Sequence, residues 1–185
     1  MTLTETPICN FGEKAKNFNL LSTKNKKVSL NDIKGKNGTL IMFICNHCPY
    51  VKAVIKDIVK DTKYLSNLGI KASAIMSNDV KNYPEDSFEN MISFSKLHNF
   101  SFPYLMDSTQ QVAKEYAAVC TPDFFGYNSN LELQYRGRIR ELKELKPVRG
   151  GESDLLKAMR LIGKTGKGPK NQIPSMGCNV KWLNN

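Results

Sequence analysis

The chain has 185 residues, of which 41% are hydrophobic and 24% are charged, an ordinary composition for a globular protein with a sizeable core. Its net charge is +10, but the basic segments at residues 24–27 and 163–170 lack interleaved aromatic residues and zinc-finger spacing. We therefore predict no nucleic-acid partner. The longest apolar run, residues 40–45, is too short to cross a membrane, and the N-terminus lacks the pattern of a secretory signal. The expectation is a cytoplasmic protein without membrane association.

The first third of the chain predicts a hairpin, a buried strand and a helix. Residues 17–30 hold two short apolar pieces around a polar turn, which indicates a hairpin extension laid against a larger body. Residues 38–44, GTLIMFI, are typical of a central strand that is covered on both faces. Apolar residues then recur at helical spacing from Val51 to Leu65, and Gly69 is the expected stop.

Strands and helices continue to alternate along the rest of the chain. The further predicted elements are a strand at 70–76, a helix at 84–98, a strand at 102–107, a helix at 109–117, a hairpin at 122–137 and a helix at 152–163. Ser108 and Gln111 are expected to form a capping box for the fourth of these. The tail from about residue 164 is expected to be irregular. We predict one α/β domain over residues 1–185, with a mixed central sheet and helices on both faces.

The five cysteines, Cys9, Cys45, Cys48, Cys120 and Cys178, are too few and too scattered to staple a disulfide scaffold. Cys45 and Cys48 form a C-x-x-C pair between an apolar strand and a helix, a pattern typical of redox sites. The positive end of the helix is expected to stabilise a Cys45 thiolate, and His47 adds positive charge when it is protonated. Such cysteines titrate at about 3.5 to 7.5 instead of about 8.5.

A pair of thiols at this spacing suits thiol–disulfide exchange, because one thiol attacks and the other resolves. The alternative of a structural zinc site needs two further ligands, and the sequence offers no second C-x-x-C, so we predict no metal. A copper- or zinc-binding protein remains an alternative function. Cys178 is a candidate third redox thiol or a buried cysteine. Cys120 is a core cysteine or a further redox thiol near the pair.

Four segments resemble the redoxin (AhpC/TSA-type) branch of the thioredoxin-like superfamily. They are GEKAKNFNLLSTKNKKVSL, FICNHCPYVKAV, VCTPDFFGYNSNLELQYRGRI and PSMGCNVKW, beginning at residues 12, 43, 119 and 174. The resemblance implies a thioredoxin-like fold and a cis-proline at Pro122 that faces the cysteine pair. It also implies that backbone groups of Thr121 hold an extended substrate.

The sequence departs from close relatives of that branch in and before the pair. Thioredoxin carries tryptophan before the pair and Gly-Pro inside it, whereas this chain has Ile44 and Asn46-His47. A histidine before the second cysteine resembles more oxidising members such as protein disulfide isomerase. Aligning the peroxiredoxin motif P-x-x-x-[ST]-x-x-C on Cys48 puts Ile41 at the proline and Cys45 at the hydroxyl. A peroxiredoxin-like peroxidase or antioxidant protein is therefore the alternative to a thiol–disulfide oxidoreductase.

The expected partners follow from this chemistry. They are a disulfide-containing protein or a small thiol as substrate, and a reductant or oxidant that the sequence does not identify. No cofactor is implied, because the cysteines themselves carry the electrons.

Overall fold

The computed structural model describes residues 2–183. The strands are β1 (Leu3–Glu5), β2 (Asn19–Ser22), β3 (Lys27–Ser29), β4 (Gly38–Phe43), β5 (Ile70–Met76), β6 (Tyr104–Met106), β7 (Cys120–Thr121), β8 (Asp123–Tyr127), β9 (Leu133–Arg136), β10 (Leu142–Lys143), β11 (Lys146–Pro147) and β12 (Met176–Asn179). The α-helices are α1 (Pro49–Asn67), α2 (Phe88–Leu97), α3 (Gln111–Glu115) and α4 (Asp154–Thr165), and a 3₁₀ turn covers Pro84–Asp86. None of these helices combines the length and apolar character that a membrane crossing needs.

Seven strands form the main sheet in the order β3-β2-β6-β5-β4-β8-β9. Strand β4 runs parallel to β5 and antiparallel to β8, so the sheet is mixed, as predicted. The hairpin of β2 and β3 extends the sheet on one side because β2 also pairs with β6. The hairpin of β8 and β9 completes the other side. Both predicted hairpins are confirmed.

Strand β4 is buried along its whole length and contributes to two separate apolar clusters. Leu40 and Met42 join the cluster that holds the buried residues of α1, α2 and α4. Ile41 and Phe43 join the cluster that holds the buried residues of α3. Because successive side chains of a strand point to opposite faces, helices cover both faces of the sheet, as predicted. Each such large side chain stabilises the fold by about 1.5–3 kcal/mol when it is fully buried.

Helix α1 begins directly after the cysteine pair. Cys48 is its N-cap, and Pro49 occupies the first helical position, where its fixed φ fits and its missing N–H costs nothing. The predicted apolar stripe is buried against the sheet. The chain leaves the helix through Gly69, whose φ of +71° favours glycine.

The predicted helix over residues 84–98 divides into two parts. A 3₁₀ turn covers Pro84–Asp86, and α2 starts only after Ser87, whose hydroxyl accepts a hydrogen bond from the Asn90 N–H at 3.3 Å. Ser87 is a better N-cap than Tyr83, the residue before Pro84, because its side-chain oxygen satisfies a free N–H of the first turn.

The predicted capping box of Ser108 and Gln111 is wrong. Helix α3 starts after Gln110, which has a left-handed φ of 62° and makes no side-chain cap. The buried carboxylate of Asp107 instead accepts hydrogen bonds from the N–H groups of Val112 (3.4 Å) and Ala113 (2.9 Å). The Asp107 side chain thus serves free N–H groups at the start of the helix, the role that the capping box was expected to fill.

The prediction of an irregular tail is wrong for its last part. Helix α4 ends at Thr165, and Gly166 follows with a φ of +74°. After an irregular stretch, β12 pairs antiparallel with both β1 and β7 and so forms a small three-stranded sheet. The tail therefore returns to the segment that carries Thr121.

Candidate active site

The cysteine pair lies where the end of β4, the start of α1 and the end of β7 meet. Cys45 is 1% exposed and Cys48 is 0% exposed. The Cys45 Sγ lies 3.4 Å from the Thr121 hydroxyl, and the Cys48 Sγ lies 3.1 Å from the Thr121 carbonyl oxygen. The peptide bond between Thr121 and Pro122 is cis, which confirms the expected cis-proline. Thr121 thus contacts both sulfur atoms.

Asp86 organises the turn that carries the pair, and the sequence analysis did not identify it. Its carboxylate is fully buried and accepts hydrogen bonds from the Asn46 N–H (2.8 Å) and the His47 N–H (3.3 Å). It also accepts one from the Asn78 side chain (2.8 Å) and lies 2.7 Å from the His47 Nδ1. Burial favours the protonated acid, but these hydrogen bonds outweigh it and hold the pKa of Asp86 below its usual value.

His47 is paired with Asp86 more directly than with the thiols. The hydrogen bond to Asp86 raises the pKa of His47, and its ring stacks on Tyr83 with centroids 5.5 Å apart and an interplanar angle of 11°. The His47 Nε2 is buried without a hydrogen-bond partner. The imidazolium charge is balanced by the adjacent carboxylate. Protonated His47 therefore stabilises a nearby thiolate less than an unpaired imidazolium would.

The expected low pKa falls on Cys48 instead of Cys45. A hydrogen bond from the Cys45 thiol, assisted by the Val51 N–H and opposed by burial, lowers the pKa of Cys48 from 9.0 to about 5. Hydrogen bonding to Cys48, burial and the charge of Asp86 together raise the pKa of Cys45. The reason is position: Cys48 is the N-cap of α1, next to the positive end of the helix, and Cys45 lies three residues before it. The carbonyl contact of Thr121 favours protonated Cys48 and so limits this effect.

Three side chains of this region offer atoms that can bind a metal ion. One ligand atom each from Cys45, His47 and Asp86 lies within 4.8 Å of the others. The donor set of thiolate, imidazole and carboxylate is one that zinc accepts. Asp86 already serves four donors, however, so a metal ion would have to replace some of them.

The family model for the AhpC/TSA family matches residues 11–142. The chain belongs to the AhpC/TSA family. No curated protein sequence matches it.

Three solved structures illustrate the similarity of this AhpC/TSA-family chain to other proteins. An uncharacterized conserved protein from Geobacillus kaustophilus is 37% identical, over 100% of this chain and 98% of its own, with a TM-score of 0.94. A hypothetical protein from Sinorhizobium meliloti 1021 is 32% identical, over 98% of this chain and 100% of its own, with a TM-score of 0.90. The thioredoxin domain of a thiol-disulfide oxidoreductase from Bacteroides vulgatus is 16% identical, over 71% of this chain and 89% of its own, with a TM-score of 0.59. The fold is thioredoxin-like, as predicted, and the family membership supports an oxidoreductase or peroxidase activity.

A third cysteine of the AhpC/TSA-family chain lies against the pair. Cys178 on β12 is 3% exposed, and its Sγ is 3.2 Å from the Cys48 Sγ. Burial and then the hydrogen bond to Cys48 raise the pKa of Cys178 to about 12. Cys120 lies close by, but its Sγ faces the Pro122 carbonyl oxygen at 3.7 Å, and burial strongly raises its pKa. Of the two additional candidates, Cys178 has the direct sulfur contact with the pair.

The backbone of Thr121 is paired with β12. Cys178 lies opposite Thr121 in the antiparallel register, and the Val180 N–H donates to the Val119 carbonyl at 3.1 Å. Hydrogen-bonded pairs alternate along an antiparallel ladder, so Thr121 and Cys178, two positions further on, also exchange backbone hydrogen bonds. The edge at which an extended substrate was expected is thus occupied by the protein's own strand.

A cavity of about 290 Å³ lies beside the cis-proline. Pro122, Tyr50, Val54, Ile139 and Met176 contribute to its lining. The charged side chains of Arg138 and Glu144 also line it, so the cavity adjoins the proline with a mixed apolar and charged wall.

Proposed function

We propose that the protein is a thiol–disulfide oxidoreductase that works through Cys45 and Cys48. The observation that supports this most directly is the shared contact of the two sulfur atoms with Thr121, at 3.4 Å and 3.1 Å, beside a cis-proline. Two thiols that share a proton at a helix N-terminus can take up and release a pair of electrons as a disulfide.

Cys45 is the attacking thiol in this proposal. The Cys48 Sγ is enclosed by the Thr121 carbonyl and by Cys178, at 3.1 Å and 3.2 Å, which leaves Cys45 on the substrate side. The Cys48 thiolate accepts the Cys45 proton, and the Cys45 thiolate attacks a substrate disulfide and releases one substrate thiolate. Cys48 then attacks the Cys45 sulfur of the mixed disulfide, and its proton passes to the second substrate thiolate, which leaves as a thiol. The substrate gains two electrons, and the enzyme is left with a Cys45–Cys48 disulfide.

Insulin reduction in the presence of dithiothreitol tests this function. We expect catalysis by the wild type and by Cys9→Ser, a matched control in which a thiol outside the site is removed. Cys45→Ser should reduce insulin no faster than dithiothreitol alone. Equal rates for the wild type and Cys45→Ser would contradict the proposal.

A thiol peroxidase is the second candidate, because the lowered pKa of Cys48 provides a thiolate at neutral pH. That thiolate would attack hydrogen peroxide, release hydroxide and become a sulfenic acid, which the Cys45 thiol would capture with loss of water. Arg136 of β9 is not available to activate peroxide, since its guanidinium is bound to Asp123 at 2.9 Å and to the Ala117 carbonyl at 2.7 Å. We therefore favour exchange over peroxide reduction.

A further inference from the structure

Cys178 is held against the redox pair by several independent contacts of its strand. The Ser175 hydroxyl donates to the Pro122 carbonyl at 2.7 Å, and the backbone pairing fixes Cys178 opposite Thr121. Gly177 allows the close approach, since a Cβ at that position would lie 2.0 Å from the Thr121 carbonyl oxygen. The position of the third sulfur is therefore set by the cis-proline segment itself.

The distance between the sulfur atoms suits bond formation. The Cys48 and Cys178 Sγ atoms are 3.2 Å apart, although 130 residues separate them in the chain. A disulfide bond measures about 2.05 Å, so the two atoms need to approach by only about 1 Å.

We propose that Cys178 is a third redox thiol, which attacks Cys48 within the Cys45–Cys48 disulfide to form a Cys48–Cys178 disulfide and release Cys45. The inference rests on the proposed exchange function of the pair. The step forms one sulfur–sulfur bond and breaks one, and the proton of Cys178 passes to the departing Cys45 thiolate. It consumes no oxidant or reductant.

Oxidation of the pair itself makes Cys178 a better nucleophile. In the reduced site, burial is the largest cause of the raised pKa of Cys178, and Cys48 adds two further contributions, its hydrogen bond and its charge. Both contributions are lost once Cys48 is part of a disulfide, while the nearby Lys181 ammonium continues to favour the thiolate. The transfer starts from the Cys45–Cys48 disulfide, so it follows the uptake of a disulfide by the enzyme.

The consequence is an oxidised enzyme with two disulfide isomers. One isomer leaves Cys45 oxidised at the substrate side, and the other moves the disulfide inward and restores the Cys45 thiol. An additional oxidised isomer stabilises the oxidised protein by mass action. If the two isomers are equally populated, removal of Cys178 should shift the thiol–disulfide equilibrium toward the reduced form by about twofold.

Disulfide mapping tests the inference. The reduced full-length protein is oxidised with limiting oxidised glutathione, quenched in acid, alkylated and digested, and its linked peptides are identified by mass spectrometry. We expect both Cys45–Cys48 and Cys48–Cys178 links in the wild type and in the control Cys9→Ser. Cys178→Ser should retain only the first link, and Cys45→Ser should form only the second.

The outcomes separate this inference from the proposed function. A Cys45–Cys48 link with normal insulin reduction, but no Cys48–Cys178 link in either the wild type or Cys45→Ser, would overturn the inference and leave the function standing. A Cys48–Cys178 link without any Cys45–Cys48 link would support the sulfur contact and remove the exchange function. The wild-type map gives this answer even if a variant folds poorly.

Discussion

The location of the thiolate is the property of the site that is most open to direct measurement. The pKa of Cys48 falls from 9.0 to about 5, a shift that favours its thiolate at neutral pH. The hydrogen bond from Cys45 is its largest cause. A hydrogen bond to a charged group contributes about 1.5–3 kcal/mol, so loss of the Cys45 donor should raise the pKa of Cys48 by about 1–2 pH units.

Two substitutions at Cys45 separate the hydrogen bond from the sulfur atom. Cys45→Ala removes the donor and should show the full increase in the pKa of Cys48, whereas Cys45→Ser keeps a hydroxyl donor and should show a smaller one. The measurement is the ultraviolet absorbance of the thiolate as a function of pH. Below neutral pH the signal belongs to Cys48, because burial raises the pKa of Cys9 to about 11 and that of Cys178 to about 12.

Cys48→Ala provides the control, since it should abolish the acidic transition. The reasoning would be refuted by a wild-type transition near the ordinary value of about 8.5. It would also be refuted by an acidic transition that survives in Cys48→Ala and disappears in Cys45→Ala. That second result would place the thiolate at Cys45, as the sequence analysis expected.

Four further predictions address the surroundings and chemistry of the site. Asp86→Asn should lower the free energy of unfolding by about 3 kcal/mol in denaturant titrations at pH 5. The raised pKa of His47 stabilises the fold below about pH 6.5, and the lowered pKa of Asp86 stabilises it above about pH 3.9. The loss of stability in Asp86→Asn should therefore be smaller at pH 9 than at pH 5. A loss that does not depend on pH would contradict the pairing of His47 with Asp86. Gly177→Ala should cost about 1–3 kcal/mol in urea titrations, because the added Cβ meets a backbone oxygen of β7 at 2.0 Å; unchanged stability would disprove the close approach. In stopped-flow mixing, hydrogen peroxide should react slowly with the reduced protein, and fast stoichiometric reaction abolished in Cys48→Ser but kept in Cys45→Ser would favour the peroxidase. Elemental analysis of the reduced protein should show no stoichiometric zinc or copper, and metal that is lost in Cys45→Ser would favour a metal-binding function.

The parts of the fold that were predictable are those that local patterns specify. The apolar run of β4 and the helical stripe of α1 depend on residues within one element, and Gly69 gives the helix a local stop. Strand β12 was missed because its residues gain their order from pairing with β1 and β7, at the far end and in the middle of the chain. A four-residue strand with such distant partners leaves no periodic signal in the sequence.

The candidate site shows the same division. The pair and the cis-proline segment were recognisable from their motifs, but Asp86 was not, because its contact with His47 spans 39 residues. The shift of the low pKa from Cys45 to Cys48 could have been anticipated. Proline is favoured at the first helical position, so Pro49 already indicated that Cys48 is the N-cap.

The pairing of β12 with β7 has two consequences that depend on each other. It places Cys178 next to Cys48, and it fills the backbone edge of Thr121. A substrate that binds Thr121 as an extended strand must therefore displace β12, and this displacement removes Cys178 from the pair. An inner Cys48–Cys178 disulfide would hold β12 in place and close that edge. Extended binding at Thr121 and the inner disulfide are thus mutually exclusive.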